Sequence, residues 1–193
     1  WAWARFGPGF RGHLAGFNHR DGWDTEQWAG YTRRATADFV TNAARRVPYY
    51  RGTYTAEEHR AALAGQLSEL PLLGKSPLRE DPDSFIDPTL RPRRPRVFLT
   101  SGSSGTPIAT TWSTDELRAS MALREARSAR WAGASFAQPR ATFSGRMVEP
   151  DPHSDGPFYR FNAVERQIYL SAFHLRPDTA EAYWRAFRRH RIQ

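Results

Sequence analysis

The sequence predicts an α/β fold of helices and short strands, and three patterns in it support that class. Residues 25–47 carry apolar side chains at steps of three or four, which is typical of an amphipathic helix. Residues 97–112 hold two β-branched and aromatic runs around a Ser/Gly loop, and residues 167–173 alternate like a half-buried strand. We therefore expect a mainly helical region over residues 1–95 and an α/β region over residues 96–193.

The helical region begins with 22 residues that are rich in Gly, Trp and Phe and show no clear period. A long helix is predicted from Thr25 to Val47, where Pro48 ends it. Its apolar stripe is predicted to consist of Trp28, Tyr31, Ala35, Phe39, Ala43 and Val47.

Two shorter helical segments are predicted from their capping residues. Thr55 followed by Glu58 forms a capping box that opens a short helix. Ser76 is expected to cap a further turn, with Pro77 in its first helical position. The proline-rich residues 81–95 are expected to form an ordered loop or a linker to the α/β region.

The elements of the α/β region are predicted from β-branched runs and from capping boxes. In chain order they are strands 97–99 and 108–112, a helix opened by Ser113 and Glu116 and reaching Trp131, strands 140–143 and 167–173, and a helix opened by Asp178 and Glu181.

The composition excludes several classes of protein. The 193 residues include no cysteine, so a disulfide framework, a zinc–thiolate site and a cysteine nucleophile are ruled out. Hydrophobic residues at 39% and aromatic residues at 13% argue against a disordered chain. No apolar run approaches the roughly 18 residues of a membrane helix. We expect a soluble, cytoplasmic protein that does not associate with membranes.

The net charge of +8 comes from a chain whose basic residues are 27 arginines and a single lysine, Lys75. Arginines clustered on one face favour a basic nucleic-acid-binding module, whereas scattered arginines indicate a coding bias. The densest cluster, residues 91–96, is interrupted by prolines, and the other arginines are spread along the chain. Coding bias is therefore favoured, and nucleic-acid binding is kept as an alternative function.

Residues 100–107, Thr-Ser-Gly-Ser-Ser-Gly-Thr-Pro, form the most informative segment. Gly102 and Gly105 allow positive φ angles, so successive amide N–H groups can point into one concavity that binds an anion. Further hydroxyl donors are supplied by Thr100, Ser101, Ser103, Ser104 and Thr106. A Walker loop is excluded because Gly-Lys-Ser/Thr is missing and a strand follows. The pattern predicts phosphate binding, and a flexible Ser/Gly connection is the alternative.

The run from Phe98 to Pro107 resembles the phosphate-binding signature of the adenylate-forming enzymes, which are the acyl- and aryl-CoA ligases and their relatives. Other segments resemble the phenylacetate-CoA ligase and CapK-like branch of that family. In chain order these are Pro48-Tyr49-Tyr50-Arg51, Leu70 to Lys75, Gly145-Arg146 with Pro150, Phe158 to Asn162, and Tyr169 to Leu175. The resemblance covers most of the chain from residue 25 onward.

The resemblance implies an ATP-dependent ligase that activates an acyl or aryl carboxylic acid as an acyl-adenylate. The acyl group then passes to a thiol, most often that of coenzyme A, so ATP, Mg²⁺ and coenzyme A are the implied cofactors and co-substrates. Residues 100–106 would bind the ATP phosphates and stabilise the departing pyrophosphate. Lys75 lies on the family's lysine-bearing segment and would reach the same phosphates, with a chance surface lysine as the alternative.

Three further residues are candidates for the substrate pocket because they lie in the segments that carry the resemblance: Arg146, Asn162 and His174. A purely structural role is the alternative for each of them. A calcium loop at residues 151–162 is rejected, because Asn162 occupies its twelfth position and prolines interrupt it. No metal site is predicted.

The family's adenine- and ribose-binding motifs and its catalytic lysine are not found in these residues, so the catalytic residues are not identified. The chain is therefore expected to be an N-terminal portion of the large domain. Its loop also lacks the lysine that many family loops carry after the second glycine. We expect the isolated 193 residues not to catalyse adenylation. A non-catalytic fragment that keeps the ligase fold is a further alternative.

Overall fold

The computed structural model describes residues 2–90, 95–100, 107–144 and 148–192. In these ranges the chain is a mixed helix-and-sheet protein, which confirms the predicted class at that level. None of the helices found there is long and apolar enough to cross a membrane.

Eight α-helices lie in the described ranges, and three of them begin at a capping box. Capping boxes at Thr55 with Glu58 and at Ser113 with Glu116 are present as predicted. The helices are α1 (Ala2–Phe6), α2 (Phe10–His19), α3 (Thr25–Arg46), α4 (Pro48–Thr53), α5 (Ala56–Leu63), α6 (Lys75–Glu80), α7 (Thr114–Arg124) and α8 (Ala180–His190).

Helices α1 and α2 were not expected from the sequence. The glycines of this segment weaken local helix propensity, and its apolar residues show no helical period. Both helices pack against α7, and the Phe6 ring contacts the rings of Phe10 and Phe136 at centroid distances of 5.3 and 5.8 Å. Tertiary packing therefore supplies the stability that local propensity does not.

The long helix α3 is confirmed, but its buried face differs from the predicted stripe. Val40 and Ala44 are 5% and 1% exposed, whereas the predicted Phe39 is 74% exposed. Val40 and Ala44 form an apolar cluster with Ala62 of α5. A shift of one residue rotates the buried face by about 100°, so the contact with α5, which the period alone does not specify, decides the register.

Two predicted caps are wrong, one by two residues and one by a single residue. The N-cap of α6 is Gly74, not Ser76, so Lys75 is the first helical residue and Pro77 lies within the first turn. Proline is tolerated there because the first amide groups of a helix have no intrahelical partner. The N-cap of α8 is Thr179 rather than Asp178.

The predicted helix from Ser113 to Trp131 changes its winding after α7. A π-helical turn, Glu125–Ala129, and a 3₁₀ turn, Arg130–Ala132, follow, and the chain ends this run at Gly133 in the left-handed conformation. Glu125 is 4% exposed there, and its carboxylate accepts hydrogen bonds from the Ser135 hydroxyl at 2.7 Å and the Phe136 amide at 2.8 Å. These bonds satisfy a carboxylate that would be costly to bury alone.

Five strands form two sheets in the described ranges. One is an antiparallel pair and the other has the order β3-β5-β4, in which β3 is parallel and β4 antiparallel to β5. Strand β4 was not predicted as a strand. The strands are β1 (Arg96–Leu99), β2 (Ala109–Trp112), β3 (Arg140–Ser144), β4 (Tyr159–Asn162) and β5 (Gln167–Ser171).

The two faces of the three-stranded sheet differ in chemistry. Ile168 and Leu170 are fully buried in an apolar cluster with Phe158, which directly precedes β4, and with Tyr183 of α8, as the alternation in residues 167–173 predicts. The opposite face carries polar side chains, because each strand alternates its residues between the faces. These polar residues are Arg140, Thr142, Gln167 and Tyr169.

Candidate functional site

Strands β1 and β2 hold the ends of the predicted phosphate loop together. Leu99 lies opposite Ala109, and beyond this pair the Thr100 amide donates to the Ile108 carbonyl at 3.0 Å. The Ile108 amide in turn donates to Thr100 Oγ1 at 2.9 Å. Residues 101–106 lie outside the described residues. Thr100, directly before them, is hydrogen-bonded to Ile108, which follows them by two residues.

Side chains of the hairpin reinforce this pairing. The Thr110 hydroxyl donates to the Phe98 carbonyl at 3.1 Å, and Trp112 Nε1 donates to Thr110 Oγ1 at 3.1 Å. The rings of Phe98 and Trp112 meet edge to face across the strands at 5.9 Å. Such cross-strand contacts stabilise an antiparallel pair. The hydroxyl oxygen of Thr100 accepts the hydrogen bond from the Ile108 amide, so its hydroxyl proton is still available to donate.

Lys75 lies at the exposed start of α6, directly after the cap Gly74. The amino end of a helix carries partial positive charge, which does not favour a cation. The electrostatics of the helix therefore give no reason for a lysine at the first position of α6.

His174 is 2% exposed and has a polar partner at each ring nitrogen. Its Nε2 lies 2.6 Å from the Asp151 carbonyl oxygen, which can only accept, so Nε2 carries the proton. Its Nδ1 lies 2.7 Å from Ser171 Oγ and accepts a hydrogen bond from that hydroxyl group. The ring also stacks on Phe158 at 5.3 Å. The two ring nitrogens therefore link the backbone at Asp151 to Ser171 at the end of β5. This arrangement favours a structural role for His174 over a role in a substrate pocket.

Asn162 lies at the other end of the sheet. It pairs with Gln167 at the start of β5, whereas His174 follows the end of that strand, which spans about 13 Å. Asn162 Oδ1 accepts hydrogen bonds from the Val164 and Glu165 amides at 3.1 and 3.3 Å, and so shapes the β4–β5 turn. Asn162 and His174 therefore lie near opposite ends of β5. The third candidate, Arg146, lies outside the described residues.

A buried charge cluster joins the first helix to the sheet. Arg5 Nη1 donates to the two carboxylate oxygens of Glu165 at 2.9 and 3.2 Å, and Arg140 Nη2 donates to Glu165 Oε2 at 2.7 Å. The Glu165 side chain is 2% exposed and both arginine side chains are 16% exposed. Burial lowers the pKa of Arg140, and the negative charge of Glu165 opposes that shift. We call these three residues the Glu165 triad.

The sequence did not indicate the Glu165 triad. Arg5 and Glu165 are 160 residues apart, and Arg5 lies in a segment without a period. Charge partners at this separation leave no spacing pattern, so only the tertiary fold identifies them.

The described ranges contain no group of three His, Asp or Glu side chains that could hold a metal ion. Comparison of the chain with protein-family models, with curated proteins and with solved structures finds no match. A proposal for the function must therefore be argued from the motifs and from the geometry above.

Proposed function

We propose that this chain is the N-terminal part of an adenylate-forming ligase of the phenylacetate-CoA ligase type, and that residues 100–106 bind the phosphates of ATP. The pairing of β1 with β2, on either side of residues 101–106, supports the proposal most directly. A flexible linker needs no strand on either side, whereas a phosphate loop must have its two ends fixed to aim its donors. The ordered set of resembling segments supports the same function.

In the proposed reaction, an oxygen of the carboxylic acid attacks the α-phosphorus of ATP. The bond from that phosphorus to the bridging oxygen breaks, and pyrophosphate leaves with the electron pair. Hydroxyl and amide donors of residues 100–106 stabilise the charge on the phosphates. Lys75 contributes an ammonium group to the same anion. The thiol of coenzyme A then loses its proton and attacks the acyl carbon, and AMP leaves with the electron pair of the broken acyl–oxygen bond.

Mg²⁺ accompanies ATP in the proposed reaction. The described residues offer no cluster of three His, Asp or Glu side chains that could hold it, so no protein ligand is assigned to the ion. When bound, Mg²⁺ would supply charge neutralisation at the phosphates.

Binding of ATP and of inorganic tripolyphosphate to the 193-residue chain tests the proposal by calorimetry. Because the loop contacts phosphates rather than the base, we expect both probes to bind and to compete. The triple variant Ser101→Ala/Ser103→Ala/Ser104→Ala should weaken both by at least about tenfold, since hydrogen bonds to charged groups are the strong ones.

Ser68→Ala, at an exposed serine outside residues 100–106, is the matched control and should leave both affinities unchanged. Failure of both polyphosphates to bind would contradict the proposal, as would equal affinities in the triple variant and the wild type. Tight binding of single-stranded DNA with a steep salt dependence would instead support the nucleic-acid alternative.

A further inference from the structure

A cavity of about 380 Å³ lies between the first two helices and the segment that follows α7. Its volume falls in the range of small-molecule sites, about 300–1,000 Å³. We call it the phenylalanine cavity, after three rings in its wall. Its apolar wall consists of Phe6 of α1, Phe10 and Leu14 of α2, and Phe136 of the loop before β3.

The apolar wall of the cavity is continuous and suits an aromatic ring. The Phe6 ring meets the Phe10 ring edge to face at 5.3 Å and lies tilted against the Phe136 ring at 5.8 Å. All three rings are only partly buried by the protein itself. A planar aromatic ligand would cover this remaining apolar surface, and aromatic groups also gain from offset or edge-to-face contacts with one another.

The carboxylate of Glu125 gives the cavity a buried hydrogen-bond acceptor. Its Oε1 accepts from the Ser135 hydroxyl and its Oε2 from the Phe136 amide. A carboxylate has about four lone-pair sites, so each oxygen can accept a further hydrogen bond. Arg130 Nε lies 3.7 Å from Oε1, which is too far to fill one of these sites. Glu125 is thus fixed by two bonds and can still accept from a ligand.

The local winding of the chain explains why Glu125 and Arg130 line the same cavity. Residues five apart in an α-helix point about 140° away from each other. Here the chain forms a π-helical turn, in which the Arg130 amide bonds to the Glu125 carbonyl, so the two side chains lie on one side. Turns of this kind are rare and are frequently found at functional sites.

The charges around the cavity favour a neutral ligand. Arg130 balances the charge of Glu125, and Arg11 is exposed at the rim. A cationic ligand would be repelled by both arginines, whereas an anionic ligand would be repelled by the buried carboxylate. A neutral group that donates a hydrogen bond to Glu125 avoids both penalties.

We propose that the phenylalanine cavity binds a neutral aromatic small molecule that carries an N–H donor, of the indole class. The ring packs on Phe6, Phe10 and Leu14, and the N–H group donates to an oxygen of Glu125. A hydrogen bond to a charged acceptor is stronger than one between neutral groups. The inference uses none of residues 100–106 and does not depend on ATP binding there.

Titration of the 193-residue chain with indole and with 1-methylindole, which keeps the ring but lacks the N–H group, tests this site by ligand-observed NMR. We expect saturable binding of indole and at least about tenfold weaker binding of 1-methylindole. Glu125→Gln replaces an acceptor oxygen by an NH₂ donor and should abolish the preference for indole. Glu181→Gln, at an exposed carboxylate of α8, is the matched control and should keep that preference.

Several results would overturn the proposal. Absence of saturable indole binding, or equal affinities for indole and 1-methylindole, would remove the site. A preference for indole that persists in Glu125→Gln, with circular dichroism showing the variant folded, would exclude Glu125 as the acceptor. Ala137→Phe, at an exposed position of the wall, should fill the cavity and abolish indole binding, and unchanged binding would place the ligand elsewhere. Benzoate that binds more tightly than indole would show that the cavity takes an anion instead.

Discussion

Neutralising Glu165 should destabilise the protein far more than neutralising an exposed carboxylate. In Glu165→Gln the guanidinium groups of Arg5 and Arg140 remain 16% exposed and lose the charge that lies 2.7 to 2.9 Å away. Removing one partner of a buried ion pair costs about 3–5 kcal/mol, because the other charge stays desolvated. With a slope of about 2 kcal/mol per M urea, the midpoint of unfolding should fall by about 1.5–2.5 M.

Urea unfolding followed by circular dichroism measures this change. Asp178→Asn is the control, because Asp178 pairs with Arg176 at 3.3 Å on the surface, where the side chains are 68% and 48% exposed. The control should leave the midpoint unchanged, since exposed pairs contribute little. A Glu165→Gln midpoint within error of the wild type and of Asp178→Asn would refute the reasoning that the triad is a buried, mutually dependent unit.

Three further substitutions test single features of the fold. Val40→Ala should lower the free energy of unfolding in urea by about 2 kcal/mol, while Phe39→Ala should lower it by almost nothing. The reverse order would favour the apolar stripe predicted from the sequence, in which Phe39 is buried. His174→Ala should cost about 2–4 kcal/mol through two lost buried hydrogen bonds, and a stable variant would contradict its structural role. Burial lowers the pKa of His190 from its usual 6.5, so the unfolded chain takes up the proton more readily than the folded one. The free energy of unfolding therefore keeps its full His190 contribution above pH 6.5 and decreases as the pH falls through the lowered pKa. His190→Phe, which keeps the stack on Phe161, should remove that acid sensitivity, and an unchanged pH profile would exclude it.

Local rules predicted the elements whose cause is local. The capping boxes at Thr55 and Ser113 hold because the bond between the cap and the third helical residue needs no tertiary partner. The alternation of residues 167–173 identified β5, because one face of a strand must meet a helix and the other a different environment.

Tertiary contacts decided the rest. Helices α1 and α2 form on α7 against their own glycine content, and Val40 replaces Phe39 in the core because of where α5 lies. Strand β4 is four residues long and depends on pairing with β5, so its sequence alone did not indicate it.

Some features of the candidate site could be predicted from the sequence and others could not. The β1–β2 frame follows from two apolar runs beside a Ser/Gly loop and could be predicted. The separation of Asn162 from His174 could not, because it depends on β4 running antiparallel to β5. One cavity is lined by Arg5, Arg124 and Arg140, which lie far apart in the sequence, and no spacing rule reaches that far.

The 160-residue separation between Arg5 and Glu165 has a consequence for synthesis. A ribosome that adds about 5–20 residues per second needs about 8–32 s to make the intervening chain. During that interval Arg5 has no counter-charge from Glu165, and closing so long a loop carries an entropic cost that earlier contacts do not repay. The Arg5–Glu165 contact therefore forms late in folding, whereas the packing of α1 on α7 needs only the chain up to Arg124.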